Sequence, residues 1–399
     1  MDPVKVISMR LSQRMRQLKP SATMAISAKA LDMKAQGKQI ISLSVGEPDF
    51  PTPQHVQDAA KQAIDKGFHK YTQPPGLPEL RRAIAGYFHH FYGVEAPAEA
   101  TIATNGGKQA LYNLFQSIID PGDEVLVALP YWVSYPALVE MAGGVLKPIP
   151  TRVEENFKLQ PEDLVRAIGP KTRCLIINSP SNPTGCHYTR EELYTLAQLA
   201  LDKGLFLVSD EIYDRLVFSP AEPISLSPLW EENPEQVAVI NGLSKSFAMT
   251  GWRIGYALAH PELIKAMQKL QGQTTSNICA VTQKAAEAAL VGSWEPVKEM
   301  CTAFQRRRDL ALDIISGWSR ATCPKPDGAF YLFCELKDYF TAQAPDSSSF
   351  CCMLLEKAGV ALVPGAAFGD DSCLRISYAV DDEVLRTALN KIGEVLAEC

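Results

Sequence analysis

A lysine surrounded by hydroxyl residues and an arginine is the group of residues with the clearest chemical potential in this chain. The run 244–255 reads SKSFAMTGWRIG and follows the apolar segment 237–240 and the turn signal Asn241-Gly242. A lysine in such a pocket can form a Schiff base with an aldehyde. Hydroxyl groups such as that of Ser244, together with Arg253, can hold a phosphate by charge-assisted hydrogen bonds. Around Lys245 these residues predict covalently held pyridoxal phosphate.

A carboxylate at the end of another apolar segment extends this prediction. Asp210 ends the run 205–210 and is followed closely by Tyr213. Asp210 could pair with a protonated pyridine nitrogen and keep the ring an electron sink, and Tyr213 could hydrogen-bond the phenolic oxygen of the ring. The structural alternatives are a turn-capping aspartate and a packed tyrosine. Asp210 and Lys245 are 35 residues apart, a spacing that allows one crossover and places them at the ends of neighbouring strands.

A pair of glycines precedes the apolar helical run 110–119. Gly106 and Gly107 at the start of a helix expose backbone N–H groups that can hold a phosphate. A plain turn is the alternative. Lys108 lies in the first helical turn, where a cation opposes the helix dipole. It is either a solvated surface lysine or a residue that meets an anionic group of the substrate.

Three further residues have both a chemical and a structural interpretation. Asn182 lies in the turn 179–185, in which Pro183 favours a cis peptide that would aim the asparagine amide inward. Arg375 lies in an apolar alternating strand, where it either reaches solvent or binds a carboxylate through two parallel hydrogen bonds. Trp132 follows a strand and either stacks on a flat cofactor ring or packs in the core. All of these alternatives stay open on the residues alone.

The elements that must position these residues alternate between strands and helices. The runs 124–129, 174–178, 205–210 and 237–241 are predicted to be strands buried on both faces. Between them, 190–203 has helical periodicity, and Thr189 with Glu192 forms a capping-box signature. This alternation predicts a mostly parallel α/β sheet, whose ligands bind beyond the carboxyl ends of the strands. Asn182, Asp210 and Lys245 all follow such ends.

Composition excludes several classes of protein. The chain has 399 residues and a formal net charge of −6, so it carries no basic surface for nucleic acid, and no apolar run reaches membrane-spanning length. The six histidines have no metal-ligand spacing, and no nicotinamide or nucleotide glycine motif occurs. Ten scattered cysteines without a C-x-x-C pair predict a reduced, cytoplasmic protein, although the basic first thirty residues could mimic a transit peptide.

Taken together, these motifs resemble the class I aminotransferases of the fold type I pyridoxal-phosphate enzymes. The resemblance extends from about residue 18 to the C-terminus and rests on SKxxxMTGWRIG, SDEIY and NPTG. It implies an α/β fold with a large, mostly parallel seven-stranded sheet domain and a smaller α+β domain. The implied boundaries are 1–48 for an N-terminal arm with part of the small domain, 49–295 for the cofactor-binding domain and 296–399 for the small domain. The change of pattern near residues 290–298 agrees with the last boundary.

The resemblance also implies a role for each candidate residue. Lys245 would carry the cofactor, Asp210 would pair with its ring nitrogen, and Asn182 and Tyr213 would contact its ring oxygen, while Trp132 would stack on the ring. The phosphate would be held by Ser244, Arg253 and the backbone of Gly106, Gly107 and Lys108. The substrate would meet Gly46, Trp132, Asn182 and Arg375. Tyr71 would reach the phosphate of a neighbouring subunit, which implies a homodimer with shared sites.

Within the family, GGKQAL and PYWVSY resemble the prokaryotic-type aspartate aminotransferases, in which a lysine at Lys108 would meet the distal carboxylate. The pattern KPSAT at 19–23 resembles members that also accept prephenate, with Thr23 at the matching place. Ser181 departs from the Asn or Pro of many relatives. We therefore expect an aspartate:2-oxoglutarate aminotransferase with a ping-pong cycle. The alternatives are a prephenate or aromatic aminotransferase, possibly bifunctional, then a pyridoxal-phosphate lyase, and last a non-catalytic regulator, for which no partner-reading segment is present.

Overall fold

The computed structural model describes residues 22–399 together with 9–12, 15, 16 and 18. The α-helices are α1 Ala22–Ala35, α2 Gln54–Asp65, α3 Pro78–Tyr92, α4 Gly107–Ile118, α5 Tyr135–Met141, α6 Pro161–Ala167, α7 Arg190–Asp202, α8 Ser227–Glu232, α9 Pro261–Thr274, α10 Ala280–Val291, α11 Glu295–Ile315, α12 Ser347–Lys357 and α13 Asp382–Ala397. The strands are β1 Ile41–Ser42, β2 Thr101–Thr104, β3 Glu124–Leu129, β4 Val145–Pro150, β5 Thr172–Asn178, β6 Phe206–Asp210, β7 Val237–Gly242, β8 Gly255–Leu258, β9 Tyr331–Glu335, β10 Val360–Ala361, β11 Val363–Pro364 and β12 Cys373–Ser377.

A seven-stranded sheet forms the centre of the fold, with the strand order β2-β8-β7-β6-β5-β3-β4. Strand β8 is antiparallel to both of its neighbours, and the other pairs are parallel. Successive residues of β5 face opposite cores: Leu175 packs in the cluster that contains Leu196 of α7, and Ile176 packs in the cluster that contains Phe115 of α4. Helices therefore cover both faces of the sheet. The predicted mostly parallel α/β fold is confirmed, and the four predicted strands are present.

Helix α7 begins as its sequence predicts. Thr189 Oγ1 accepts from the backbone N–H of Glu192 at 3.3 Å, and the Glu192 carboxylate accepts from the backbone N–H of Thr189 at 2.7 Å. This reciprocal capping box satisfies two donors that the first turn of a helix leaves free. The helix ends at Asp202, one residue before the predicted end, with Lys203 as its C-cap.

A second, three-stranded sheet has the order β11-β12-β9 and is antiparallel, while β1 and β10 form a short parallel pair. Every residue of β12 and the first four of β9 are buried. The sheet packs on α11 and α13 through a shared apolar cluster, and the Tyr331 hydroxyl meets that of Tyr213, in the segment that follows β6. Both faces are therefore covered.

Two apolar cores lie on the two faces of the seven-stranded sheet, and a further large core lies with the three-stranded sheet. Ile26, Ala30 and Met33 of α1 belong to this further core. This core also includes Tyr213 and Leu216, which follow β6. The boundaries after residues 48 and 295 stay predictions. Within the described part of the chain, no helix is long and apolar enough to cross a membrane, and no group of three His, Cys, Asp or Glu residues could hold a metal ion.

Candidate active site

A cavity of about 450 Å³ lies beyond the carboxyl ends of β5, β6 and β7. The parallel register of these strands places Asn178, Asp210 and Ile240 at one sheet edge, so the loops that follow them meet there. The structure brings most of the predicted residues into its lining, namely Gly46, Gly107, Lys108, Trp132, Asn182, Asp210, Tyr213, Ser244, Lys245, Arg253 and Arg375.

Lys245 lies three residues beyond β7, and its Nζ donates to the carbonyl oxygen of Gly46 at 2.5 Å. Burial lowers the pKa of Lys245 to about 8. The negative charge of Glu47 opposes this shift, and the positive charges of Arg375 and Arg253 add to it. A lysine with a lowered pKa is neutral more of the time, and the neutral amine is the form that attacks a carbonyl carbon.

Asp210 is the last residue of β6 and is 5% exposed. Its Oδ2 accepts from the hydroxyl of Tyr135 at 2.7 Å, and its Oδ1 accepts from the backbone N–H of Ile212 at 3.3 Å. Burial raises the pKa of Asp210 to about 6, and the two hydrogen bonds oppose the rise. The side-chain amide of Asn178 donates to the Asp210 carbonyl oxygen at 2.9 Å and fixes the end of the strand.

Arg375 is 3% exposed and lies in β12. Its Nη1 donates to Asn182 Oδ1 at 3.0 Å, and its Nη2 donates to the Ser44 carbonyl oxygen at 2.8 Å. The guanidinium lies 4.5 Å from the ring centre of Tyr331. Its Nε is buried and has no acceptor among the described residues. The arginine therefore does not reach solvent; it is a firmly held cation in the wall of the cavity.

The start of α4 and Arg253 form a cradle of the kind that suits a phosphate. Gly106 is the N-cap of α4 and has φ = 85°, and an added Cβ would overlap the guanidinium of Arg253. That guanidinium is held by the carbonyl oxygen of Thr250, to which Nη1 donates at 2.9 Å. A Cβ on Gly255 would overlap the Gly106-Gly107 backbone. The Gly106 N–H itself donates to the Thr104 carbonyl oxygen at 2.8 Å. The parts suited to a dianion are therefore the N–H groups of the helical turn that follows, the helix dipole and the arginine.

Lys108 lies at the mouth of the cavity, with its Nζ 5.1 Å from the ring centre of Trp132. Its side chain is exposed by surface area, yet neighbouring protein atoms displace part of the water around the ammonium group. This partial burial lowers its pKa, and the charge of Arg253 is the second cause. The cation therefore faces the same space as Lys245, which favours the chemical interpretation over a purely solvated lysine.

Some predicted features lie elsewhere. Tyr71 is 90% exposed and does not line the cavity. Thr23 lies in α1, but its side chain, like residues 19–21, falls outside the described part. The cis peptide before Pro183 is wrong: the cis X-Pro bonds are Leu129-Pro130, Ser179-Pro180 and Ser219-Pro220. Asn182 is instead oriented by its partners, since its backbone N–H donates to Asn178 Oδ1 at 2.9 Å and its side chain accepts from Arg375.

Sequence reasoning missed Tyr135, Tyr331 and Glu47 as site residues. Tyr331 and Glu47 line the cavity, and the Tyr331 hydroxyl lies 2.9 Å from that of Tyr213. Glu47 accepts from Thr250 Oγ1 at 2.8 Å. The available signals were slight: Tyr135 follows Trp132 by three residues, and Glu47 adjoins Gly46.

Comparison with known proteins shows the family to which this chain belongs. The family model described as aminotransferase class I and II matches residues 38–392. An aspartate aminotransferase of Geobacillus stearothermophilus is 46% identical over 96% of this chain and 98% of its own length. An aspartate/prephenate aminotransferase of Thermus thermophilus is 46% identical over 97% of this chain and 98% of its own length. The solved aspartate aminotransferase of Thermus thermophilus with maleate superposes with a TM-score of 0.92 at 45% identity, covering 97% of this chain and 100% of that one.

Proposed function

The chain belongs to the class I and II aminotransferase family, and from that premise we propose that it transfers the amino group of L-aspartate to 2-oxoglutarate. As a member of this family it is a pyridoxal-phosphate-dependent transaminase that acts on amino acids and 2-oxo acids. The finer assignment to aspartate is supported by the names of the relatives and by one observation. The cavity that contains Lys245 also contains two cations, Arg375 and Lys108, that suit the two carboxylates of a dicarboxylic amino acid.

The residues of the cavity fit pyridoxal phosphate part by part. The cradle of Gly106, Gly107, the Lys108 backbone, Ser244 and Arg253 suits its phosphate, the buried carboxylate of Asp210 suits its ring nitrogen, and Trp132 offers a flat face for its ring. Asn182 and Tyr213, which line the same cavity, would contact its ring oxygen. When bound through Lys245, pyridoxal phosphate supplies an aldehyde carbon for the amino group and a ring that accepts electrons from the substrate Cα.

The protein's own side chains then perform the remaining steps. Arg375 binds the α-carboxylate and Lys108 binds the distal carboxylate, which orients the Cα–H bond of the substrate. Lys245 Nζ would act as the base that accepts the proton from the substrate Cα and gives it up again on the same side of the site. Asp210 would pair its carboxylate with the ring nitrogen. Gly46, whose carbonyl oxygen accepts from Lys245, lies beside this proton transfer.

We further propose a cytoplasmic homodimer with shared sites. The 90% exposed ring of Tyr71, outside the cavity lining, is consistent with a residue that completes the site of a second copy. Sedimentation measures the oligomeric state. Mixing Tyr71→Phe with Lys245→Ala protein should give more activity than the two variants measured separately, since one site of the mixed dimer would then be intact. A mixture no more active than their sum would contradict shared sites.

An amino-donor panel tests the substrate assignment. We expect aspartate to be the preferred donor with 2-oxoglutarate, to give oxaloacetate and glutamate. The second candidate, a prephenate aminotransferase, is supported by the relative named for both substrates, and prephenate as acceptor belongs in the same panel. Lys245→Ala should abolish turnover with every donor. Normal transamination by that variant would contradict the role of Lys245, and release of pyruvate or ammonia without an acceptor would indicate a lyase.

A further inference from the structure

We propose that Tyr135 is a positioning residue that holds the Asp210 carboxylate in the orientation required by the ring nitrogen of the cofactor. The inference rests on the proposed function. Tyr135 is 1% exposed, and its hydroxyl donates to Asp210 Oδ2 at 2.7 Å. Within the described residues it is the only side chain that donates to this carboxylate; the other donor is the backbone N–H of Ile212, at a longer 3.3 Å.

This hydrogen bond decides how the carboxylate is presented. A carboxylate on a short side chain can rotate about its Cβ–Cγ bond, and a bond to one oxygen from a fixed donor removes that freedom. An ionised carboxylate has about four acceptor positions, so the bond from Tyr135 leaves positions free for a ring N–H. Burial favours the protonated acid at Asp210, and a donated hydrogen bond favours the carboxylate. Tyr135 therefore both orients Asp210 and stabilises its charged form.

The hydroxyl of Tyr135 is fixed because its ring is fixed. The ring packs in the apolar cluster on one face of the large sheet and meets the ring of Trp132 edge to face, with the ring centres 5.4 Å apart. The backbone N–H of Tyr135 donates to the Trp132 carbonyl oxygen at 3.0 Å. One turn of chain thus carries both the residue placed to stack on the cofactor and the residue that orients its carboxylate partner.

The alternative is a core tyrosine whose hydroxyl is merely satisfied by Asp210, and ring-nitrogen NMR separates the two. Tyr135→Phe removes one oxygen atom and keeps the packing. The protein is reconstituted with pyridoxal phosphate labelled with ¹⁵N at the ring nitrogen, and the resonance and the cofactor dissociation constant are measured. Because hydrogen bonds to charged groups are among the stronger ones, we expect about tenfold weaker binding and a resonance displaced toward that of a neutral pyridine.

Two comparisons make the result specific. Tyr378→Phe is the matched control, since that tyrosine is also buried but its hydroxyl has no partner among the described residues; both measurements should match the wild type. In an Asp210→Ala background, Tyr135→Phe should change cofactor affinity by less than about twofold, because the carboxylate that Tyr135 orients is already gone. The effects of substitutions at two residues in contact are not additive. Thermal unfolding of each variant verifies that the fold is kept.

Three results would overturn the inference. One is an unchanged ring-nitrogen resonance and affinity in Tyr135→Phe. Another is weaker binding with an unmoved resonance, which would indicate packing alone. The third is an equal loss of affinity with and without the Asp210 side chain. Failure of the wild-type protein to bind pyridoxal phosphate would instead refute the proposed function, so the two failures are distinguishable.

Discussion

Replacing Lys108 with methionine should weaken the expected preference of the enzyme for dicarboxylic over monocarboxylic amino donors. Methionine keeps much of the length and apolar contact of the side chain over Trp132 but removes the positive charge. Lys108 lines the cavity with Lys245 and Arg375, and in the proposed function its partner would be the distal carboxylate of the substrate. Monocarboxylic donors such as alanine and phenylalanine do not use this cation, so their rates should stay close to those of the wild type.

The magnitude follows from the kind of bond that is lost. A hydrogen bond to a charged group contributes about 1.5–3 kcal/mol, and each 1.4 kcal/mol is a factor of about ten in kcat/KM. The partly exposed position of Lys108 favours the lower end, because solvent screens its charge. We therefore expect kcat/KM for aspartate to fall between about tenfold and about 100-fold, and the deficit to shrink as salt concentration rises.

Steady-state kinetics with aspartate, alanine and phenylalanine, each with a saturating acceptor, measures the effect. Lys269→Met is the matched control, since it removes the same charge from an exposed lysine of α9 that does not line the cavity. An equal fall for all three donors would refute the reasoning, because it would mean that Lys108 serves the cofactor or the fold. An unchanged rate with aspartate would refute it as well.

Three other perturbations have expected outcomes. Arg375→Lys removes a planar donor pair, so KM should rise at least about tenfold for every amino donor alike; a loss confined to dicarboxylates in steady-state assays would contradict this. Gly106→Ala places an alanine at φ = 85° and a Cβ against Arg253, so cofactor titration should show at least about tenfold weaker binding. Gly86→Ala is the control: its Cβ would meet open space, so cofactor affinity should not change. Burial raises the pKa of Glu211 to about 8, above its unfolded value, so its contribution to stability is present in acid and is lost as pH rises through 8. Glu211→Gln should therefore raise the melting temperature at pH 9 but not at pH 5. An equal change of melting temperature at both pH values would contradict this.

The positions that sequence predicted are those tied to strand ends. Asp210 ends one buried strand, Lys245 follows another, and parallel strands bring their carboxyl ends to one edge. The capping box of α7 was likewise predictable, because its two partners lie within four residues of each other. The capping box depends on contacts that are local in the sequence. The strand-end residues are brought together by the regular geometry of a parallel sheet.

What could not be predicted depends on contacts between distant segments. Tyr135 and Asp210 are 75 residues apart, and Arg375 and Ser44 are 331 apart, so no local pattern indicates either pair. The cis peptide was expected at Pro183 because that proline adjoins Asn182, whereas the turn has it at Pro180.

The most direct test of the account is a single half-reaction without an acceptor. The protein with bound pyridoxal phosphate is mixed with L-aspartate alone, and the cofactor absorbance and the released products are recorded together. We expect one oxaloacetate per active site, a complete change of the cofactor spectrum to the amino form, and its reversal by 2-oxoglutarate. Continuous release of pyruvate or ammonia, or a spectrum that aspartate leaves unchanged, would contradict the assignment.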